Sequence, residues 1–174
     1  MINGTEIKRT SKFALIVASA FVGLILLAPA VLTGAYAANA QFNKTPTLST
    51  NSQTYTITAS GKATGLGNTP TSAFLTADSV SVDFHCINKG QNFAPGHPAS
   101  SNDVVGPTQT FQPRNGQITF SGVSLSAPIP SAADECPSHT WTVVVDSVTF
   151  YGVTLHIQQA GTDILTYSFG DVSL

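Results

Sequence analysis

Two of the four histidines lie beside the two cysteines of the chain, and this placement raises the hypothesis of a metal site. His85 directly precedes Cys86, and His139 follows Cys136 by three residues. Imidazole nitrogens are common zinc and copper ligands, and His97 could supply a third. However, no two of these histidines have ligand spacing, and His97 lies in a Gly/Pro-rich stretch. Surface histidines without a metal are therefore the preferred interpretation, and no cofactor is predicted.

The cysteines themselves predict a disulfide. Cys86 and Cys136 are the whole cysteine content of the chain, and an even pair in an exported protein is most simply oxidised. Closing a loop of this length stabilises a fold by about 4 kcal/mol in the chain-entropy treatment. Reactive free thiols are the alternative. Since Cys136 lies in a proline-bounded stretch and Cys86 ends an apolar strand face, the bond would fix that stretch to a sheet.

Catalytic signatures are missing from the sequence. A serine hydrolase of the common type would show Gly-x-Ser-x-Gly, which does not occur. Glycosidases need two neighbouring carboxyl groups, and after residue 40 the chain has a single glutamate and scattered aspartates. We therefore predict that the protein is not an enzyme and assign no catalytic residue. A hydrolase of unrecognised type stays as an alternative.

Charge is sparse and excludes nucleic acid as an expected partner. Only 9% of residues are charged, and after residue 40 four Lys and Arg residues stand against eight Asp and Glu residues. A mildly acidic domain with scattered cations cannot neutralise a run of phosphates. The remaining polar residues are mainly Ser, Thr, Asn and Gln, which is typical of a β-rich extracellular domain.

The N-terminus predicts export. Basic residues precede an uncharged apolar run over residues 13 to 32, and two small-x-small sites follow it. This is the layout of a secretory signal, with cleavage favoured after Ala37 or Ala40. The run is also long enough to cross a bilayer as an uncleaved anchor, and only then would the protein contact a membrane. Either way the body of the chain lies outside the cytoplasm.

The organisation that follows from these features is a signal helix or anchor over residues 1–40, a domain over residues 54–174, and a connecting segment between them. Residues 41–53 are rich in Thr, Ser and Asn. This composition indicates a linker or a frayed first strand.

The body of the chain has the period-2 alternation of β-strands and no helical periodicity. The clearest run is residues 79–86, where Val80, Val82, Phe84 and Cys86 alternate with polar residues. Residues 141–146 alternate similarly from Trp141, which is predicted to lie in the core. Further strands are predicted around residues 55–59, 118–120, 153–157 and 165–169, with turns at Gly65–Pro70, Asn88–Gly106, Pro113–Gly116, Pro128–Pro137, Gly152 and Gly161–Asp163.

Seven or eight short strands without a helix predict an all-β fold, most simply an antiparallel β-sandwich. A closed barrel is the alternative, since periodicity does not separate the two. The architecture would be immunoglobulin-like without being a true immunoglobulin domain. In that domain the conserved Trp lies between the two cysteines, whereas Trp141 follows both Cys86 and Cys136.

Three local patterns carry a resemblance to a known group. The glycine stretch at residues 63–68, the segment from Cys86 through Asn92 to Pro95, and Cys136-Pro137 with Trp141 resemble small exported proteins of actinobacterial type. The similarity covers roughly residues 55 to 157, and its motifs are turn glycines, a cysteine pair and a Trp. The function of that group is uncharacterised, so the resemblance implies an exported β-sandwich with one disulfide and no catalytic residue.

Together these observations predict a secreted or cell-surface structural or binding module with an extracellular or envelope ligand. The polar, Gly/Pro-rich segments at residues 88–106 and 128–138 are the expected contact surfaces because loops on a rigid scaffold commonly carry binding. A loop-based metal-binding protein that uses His85, His97 and His139 is the alternative function.

Overall fold

The computed structural model describes residues 39 to 174. The predicted signal segment, and with it the interpretation of residues 13–32 as an anchor, lies outside the described residues. Within residues 39 to 174 no helix is long and apolar enough to cross a membrane. The described part of the chain forms ten strands and one short helix: β1 (Gln41–Phe42), β2 (Thr47–Asn51), β3 (Thr56–Thr64), β4 (Thr71–Ile87), β5 (Phe93–Pro95), β6 (Ala99–Val105), β7 (Gln109–Phe111), β8 (Gln117–Ser126), α1 (Ala132–Glu135), β9 (Thr142–Gln159) and β10 (Thr162–Ser173).

The strands form two antiparallel sheets, which we call sheet A and sheet B. In sheet A, β3 lies in the centre and pairs with β8 on one side. On the other side β1 and β2 pair with opposite ends of β3, so they are two segments of one interrupted edge strand. The segment at residues 41–53, whose composition indicates a linker or a frayed first strand, therefore contains edge strands of the domain rather than a linker.

Sheet B has the order β10, β9, β4, and three short strands, β5, β6 and β7, together occupy the fourth position. The long strand β4 pairs with β9 along one side, while β7, β6 and β5 pair in turn with successive parts of its other side. The stretch Asn88–Gly106, predicted as one loop, therefore contains two strands. Its Gly, Pro and Asn residues make short turns between the strands.

The two sheets pack face to face over a shared apolar core, which confirms the predicted β-sandwich. Alternate side chains of β3 and β8 meet alternate side chains of β4 and β9, as expected for strands with one buried face. All four alternating positions predicted in residues 79–86 are buried. The largest fully buried side chains include Phe120 from sheet A and Phe150 from sheet B.

A line of irregular residues crosses the middle of sheet B. Buried positions in β4 change phase between Ala77 and Val80, and those of β9 change phase at the same level. Positive φ angles mark this level on the three strands other than β4, at Asp103 in β6 (52°), Gly152 in β9 (64°) and Gly170 in β10 (74°). Such bulges let a long strand keep its apolar side chains on the core while it bends. Gly152, predicted as a turn between two strands, is thus a bulge inside one strand.

Candidate functional site

The disulfide between Cys86 and Cys136 joins the end of β4 to the segment that follows α1. The two Cα atoms are 5.8 Å apart, within the normal range for a disulfide. The Cys86 side chain is fully buried at the end of the core face of β4, as its alternating position predicts. The bond therefore fixes one end of the connection between β8 and β9, residues 127–141, to sheet B. We call the region around this bond, residues 86–92 and 136–141, the braced end.

The loop between β4 and β5 lies at the braced end and has a fixed conformation. The Oδ1 atom of Asn88 accepts hydrogen bonds from the backbone N–H groups of Gly90 and Asn92, each at 2.9 Å. The Gln91 N–H donates to the Asn88 carbonyl oxygen at 3.0 Å, and Gln91 has a φ of 59°. An Asn side chain that satisfies its own loop in this way holds the loop in one shape.

A surface cleft of about 320 Å³ separates this loop from the residues that lead into β9. Asn88, Lys89 and Gly90 line one side, and Thr140 and Trp141 line the other. Trp141 was predicted to be a core residue, and this prediction is wrong. Its side chain is only half-buried and lies outside the buried core, because β9 begins one residue later and the chain here is still in a turn.

Trp141 is held in place by its own turn. Its backbone N–H donates to the Ser138 carbonyl oxygen at 3.0 Å, and the Ser138 and Thr140 hydroxyls lie 3.2 Å apart. Cys136 precedes this turn by two residues, so the disulfide restrains the backbone that carries the indole. An aromatic ring at the edge of a cleft with amine, amide and hydroxyl groups can bind a ligand that has both an apolar face and polar groups.

The three histidines considered as metal ligands do not form a site in the described residues. The Nδ1 atom of His85 lies 2.9 and 3.0 Å from the two carboxylate oxygens of Asp146, whereas His97 and His139 are exposed. Among residues 39 to 174 no three His, Cys, Asp or Glu side chains are arranged to hold a metal ion.

An exposed aromatic residue that the sequence reasoning missed lies beside His85. Phe93 begins β5, its side chain is 65% exposed, and its ring centre is 5.0 Å from that of His85. Because the β5 pairing places Phe93 opposite Ile87 and Pro95 opposite His85, these side chains share the outer face of sheet B. The sequence predicts a loop over the residues of β5, so it offers no alternation that would place Phe93 on the outer face of the sheet.

The fourth histidine, His156, belongs to a polar network on the outer face of sheet B. The Asp163 Oδ2 atom lies 2.9 Å from His156 Nδ1, and His156 Nε2 lies 3.1 Å from the Thr76 hydroxyl. The His156 ring stacks on Phe74, with 4.9 Å between ring centres and 7° between planes. If Nδ1 donates to the carboxylate, Nε2 accepts from the hydroxyl, which is the order of groups in a hydroxyl-His-Asp triad.

Sequence reasoning could place His156 on the outer face of the strand at residues 153–157, since it alternates with Val153, Leu155 and Ile157. It could not place Thr76 and Asp163 beside it. These two residues come from different strands, and only the pairing of β4 and β10 with β9 brings them to the ring.

Comparison with family models, with curated proteins and with solved structures gives no match for this chain. No protein family is identified. The resemblance drawn from the glycine stretch and the cysteine segments therefore rests on those residues alone, and what the comparison of sequence and structure supports is a β-sandwich with one disulfide.

Proposed function

We propose that the protein is an extracytoplasmic, non-enzymatic binding module that contacts its ligand at the braced end. The observation that carries this proposal is the half-buried Trp141, which lines a cleft whose two sides are each fixed. The Asn88 hydrogen bonds hold one side, and the Cys86–Cys136 bond restrains the segment that forms the other. Binding groups on a pre-organised scaffold lose little conformational freedom when the ligand arrives.

The proposed location is the outside of the cell, either secreted or retained at the surface through residues 13–32. A disulfide is consistent with this location because such bonds persist in oxidising compartments. The ligand would then be a component of the extracellular space or of the cell envelope. A cleft with one indole and a few polar groups suits a saccharide or peptide segment, and the acidic balance of the domain argues against nucleic acid.

Trp141 is the only tryptophan in the chain, so its fluorescence tests the proposal directly. Soluble saccharides and peptides released from the envelope of the host are titrated into the purified full-length chain. We expect a saturable change in emission, weakened about tenfold or more by Lys89→Ala, which removes a side chain from the cleft. The control is His97→Ala, because His97 is exposed and does not line this cleft. Absence of any saturable change, or equal effects of the two variants, would contradict the proposed site.

A hydrolase is the second candidate, because the Thr76–His156–Asp163 order is that of a nucleophile, a base and an orienting acid. Thr76 lies inside β4, where it pairs with Val105 on one side and Thr154 on the other. The Thr76 side chain is half-buried there, which limits the approach of a substrate to its hydroxyl. Turnover of an activated ester that disappears in both His156→Ala and Thr76→Val would establish the hydrolase, and we expect no such turnover.

A further inference from the structure

The charges of the described residues are divided between the two sheets. The segments that build sheet A, residues 39–70 and 112–127, contain Lys44, Lys62 and Arg114 and no Asp or Glu. The remaining described residues contain all eight carboxylates and a single Lys or Arg, Lys89. A domain that is acidic as a whole therefore has one sheet whose only formal charges are positive.

The three cations of sheet A are not neutralised by neighbours. Across residues 39 to 174 the ion pairs are His85 with Asp146 and His156 with Asp163, both in sheet B. Lys44 and Arg114 are exposed, and Lys62 is half-buried on the outer side of β3. Because none of the three forms an ion pair with another described residue, their field is available to an anion from solution.

A cleft of about 490 Å³ lies where the edge strand is interrupted between β1 and β2. Lys44 and Lys62 are among its lining residues, and the buried Phe120 ring lies beneath Gly61 at its floor. A Cβ atom at residue 61 would lie 2.7 Å from Cζ of Phe120, so the glycine allows this close approach. The cleft thus follows from a broken edge strand and from a glycine paired with a phenylalanine.

A second cleft of about 350 Å³ adjoins the first and extends the positive surface. The two clefts share Lys62 and Thr119, and the second adds Arg114. Uncharged side chains that can form hydrogen bonds lie beside the cations in the first cleft, although most of the exposed surface of this cleft is apolar. They are Asn43, Thr45, Thr47, Ser60, Thr119 and Ser121. We call the two clefts together the cationic track.

We propose that the cationic track binds an acidic polysaccharide whose sugars carry carboxylates. Three cations along two joined clefts match anionic groups that recur along a chain, and hydroxyl and amide groups match the sugar hydroxyls between them. A single-stranded nucleic acid would need exposed aromatic rings for base stacking. The Phe120 ring in the first cleft is 1% exposed and cannot serve in this way. The half-buried Phe111 in the second cleft is then the single other ring among the lining residues of the track, and one ring does not provide stacking for successive bases. This proposal does not depend on the braced end, which lies on different residues.

The test uses the purified full-length chain and biotinylated polysaccharides on an interferometry sensor. Polygalacturonate and hyaluronate present carboxylates at two densities, and dextran is the neutral control. We expect binding to at least one acidic chain and none to dextran, with affinity falling as salt rises because exposed charges are screened. The double variant Lys44→Gln/Lys62→Gln should weaken binding by about tenfold or more. The control, His97→Gln, changes an exposed side chain between β5 and β6 that lines none of these clefts, and it should change binding less than about twofold.

Three outcomes would overturn the proposal. They are binding to neither acidic polysaccharide, equal binding to dextran, and equal weakening of binding by the control variant. Vesicles of phosphatidylglycerol form a further arm. Vesicle binding that depends on Lys44 and Lys62, without binding to either polysaccharide, would assign the track to a membrane surface and would also contradict the proposal. A loss confined to the track variants while Trp141 still responds to its own ligand separates this test from that of the braced end.

Discussion

The carboxylate of Asp78 occupies the space in which the side chain of Gly152 would begin. A Cβ atom at residue 152 would overlap Oδ2 and Cγ of Asp78. Gly152 also has a φ of 64°, and its N–H donates to Oδ1 of Asp171 at 2.9 Å. The bulge line across sheet B therefore needs a glycine here for two separate reasons, conformation and space.

Replacement of Gly152 by Ala should separate these two reasons. Gly161 is the matched control, since it has a φ of 78° and nothing within 4 Å of a Cβ atom. Gly161→Ala should lower the free energy of unfolding by about 1 kcal/mol from conformation alone. Gly152→Ala should lower it by about 2 kcal/mol, because the exposed Asp78 carboxylate must also rotate away from the new Cβ atom.

The double variant Asp78→Ala/Gly152→Ala completes the comparison by urea unfolding. Removal of the carboxylate should bring the loss at residue 152 back to about 1 kcal/mol, the conformational part. Equal losses for Gly152→Ala and Gly161→Ala would show that Asp78 moves aside freely.

Gln159 fixes the loop between β3 and β4 from inside the core. Its side chain is 1% exposed, and Nε2 lies 2.8 and 3.2 Å from the carbonyl oxygens of Leu66 and Thr69 and 3.1 Å from the Thr71 hydroxyl oxygen, so these three acceptors share its two hydrogens. Gln159→Leu should lower the free energy of unfolding by about 2 kcal/mol, because buried acceptors lose their donor.

Gln158→Leu is the control for this variant, as residue 158 points to the opposite face of β9. Thermal unfolding followed by circular dichroism measures both. Unchanged melting of the Gln159 variant would show that water or a neighbouring donor replaces the amide.

The His156 network should contribute to stability. His156→Ala removes the contacts with Asp163 and Thr76 and the stacking on Phe74. We expect a loss of about 1 kcal/mol, typical of a half-exposed cross-strand cluster. His97→Ala, at an exposed position, should change chemical unfolding by less than about 0.5 kcal/mol. A His156 variant as stable as the wild type would leave the network without a structural role and favour a functional one.

The Cys86–Cys136 disulfide should make a large contribution to the free energy of unfolding. The double variant Cys86→Ala/Cys136→Ala opens a loop with a sequence separation of 50 residues. The expected loss in the free energy of unfolding is about 4 kcal/mol, from the greater freedom of the unfolded chain. Reduction of the wild-type protein should reproduce the loss in the same urea titration. A loss below about 1 kcal/mol would show that the braced end is held by other contacts.

The sandwich and the faces of its long strands were predictable because burial on one side forces alternation. Val80, Val82, Phe84 and Cys86 are all buried as predicted. Strand continuity was not predictable at Gly152, because a glycine inside a bulged strand and a glycine in a turn look alike in sequence. Only the pairing of β9 with two neighbours reveals the difference.

The braced end was predictable in part, and the cationic track was not. The cysteine pair and its segment follow from the sequence. The alternation also includes Trp141, but this residue lies one position before β9 begins and so does not share the buried face of the strand. Lys44, Lys62 and Arg114 are scattered along the chain and look unremarkable there. They adjoin only because β3 lies between the edge strand and β8.

The braced end and the extracytoplasmic location both depend on a disulfide between Cys86 and Cys136, so the oxidation state of these cysteines in the cell should be measured first. Protein isolated from its host in the presence of iodoacetamide, without a reductant, is digested and analysed by mass spectrometry. We expect a linked peptide pair that contains both residues and carries no alkylation. Two alkylated cysteines in the bulk of the protein would contradict the disulfide and the extracytoplasmic location.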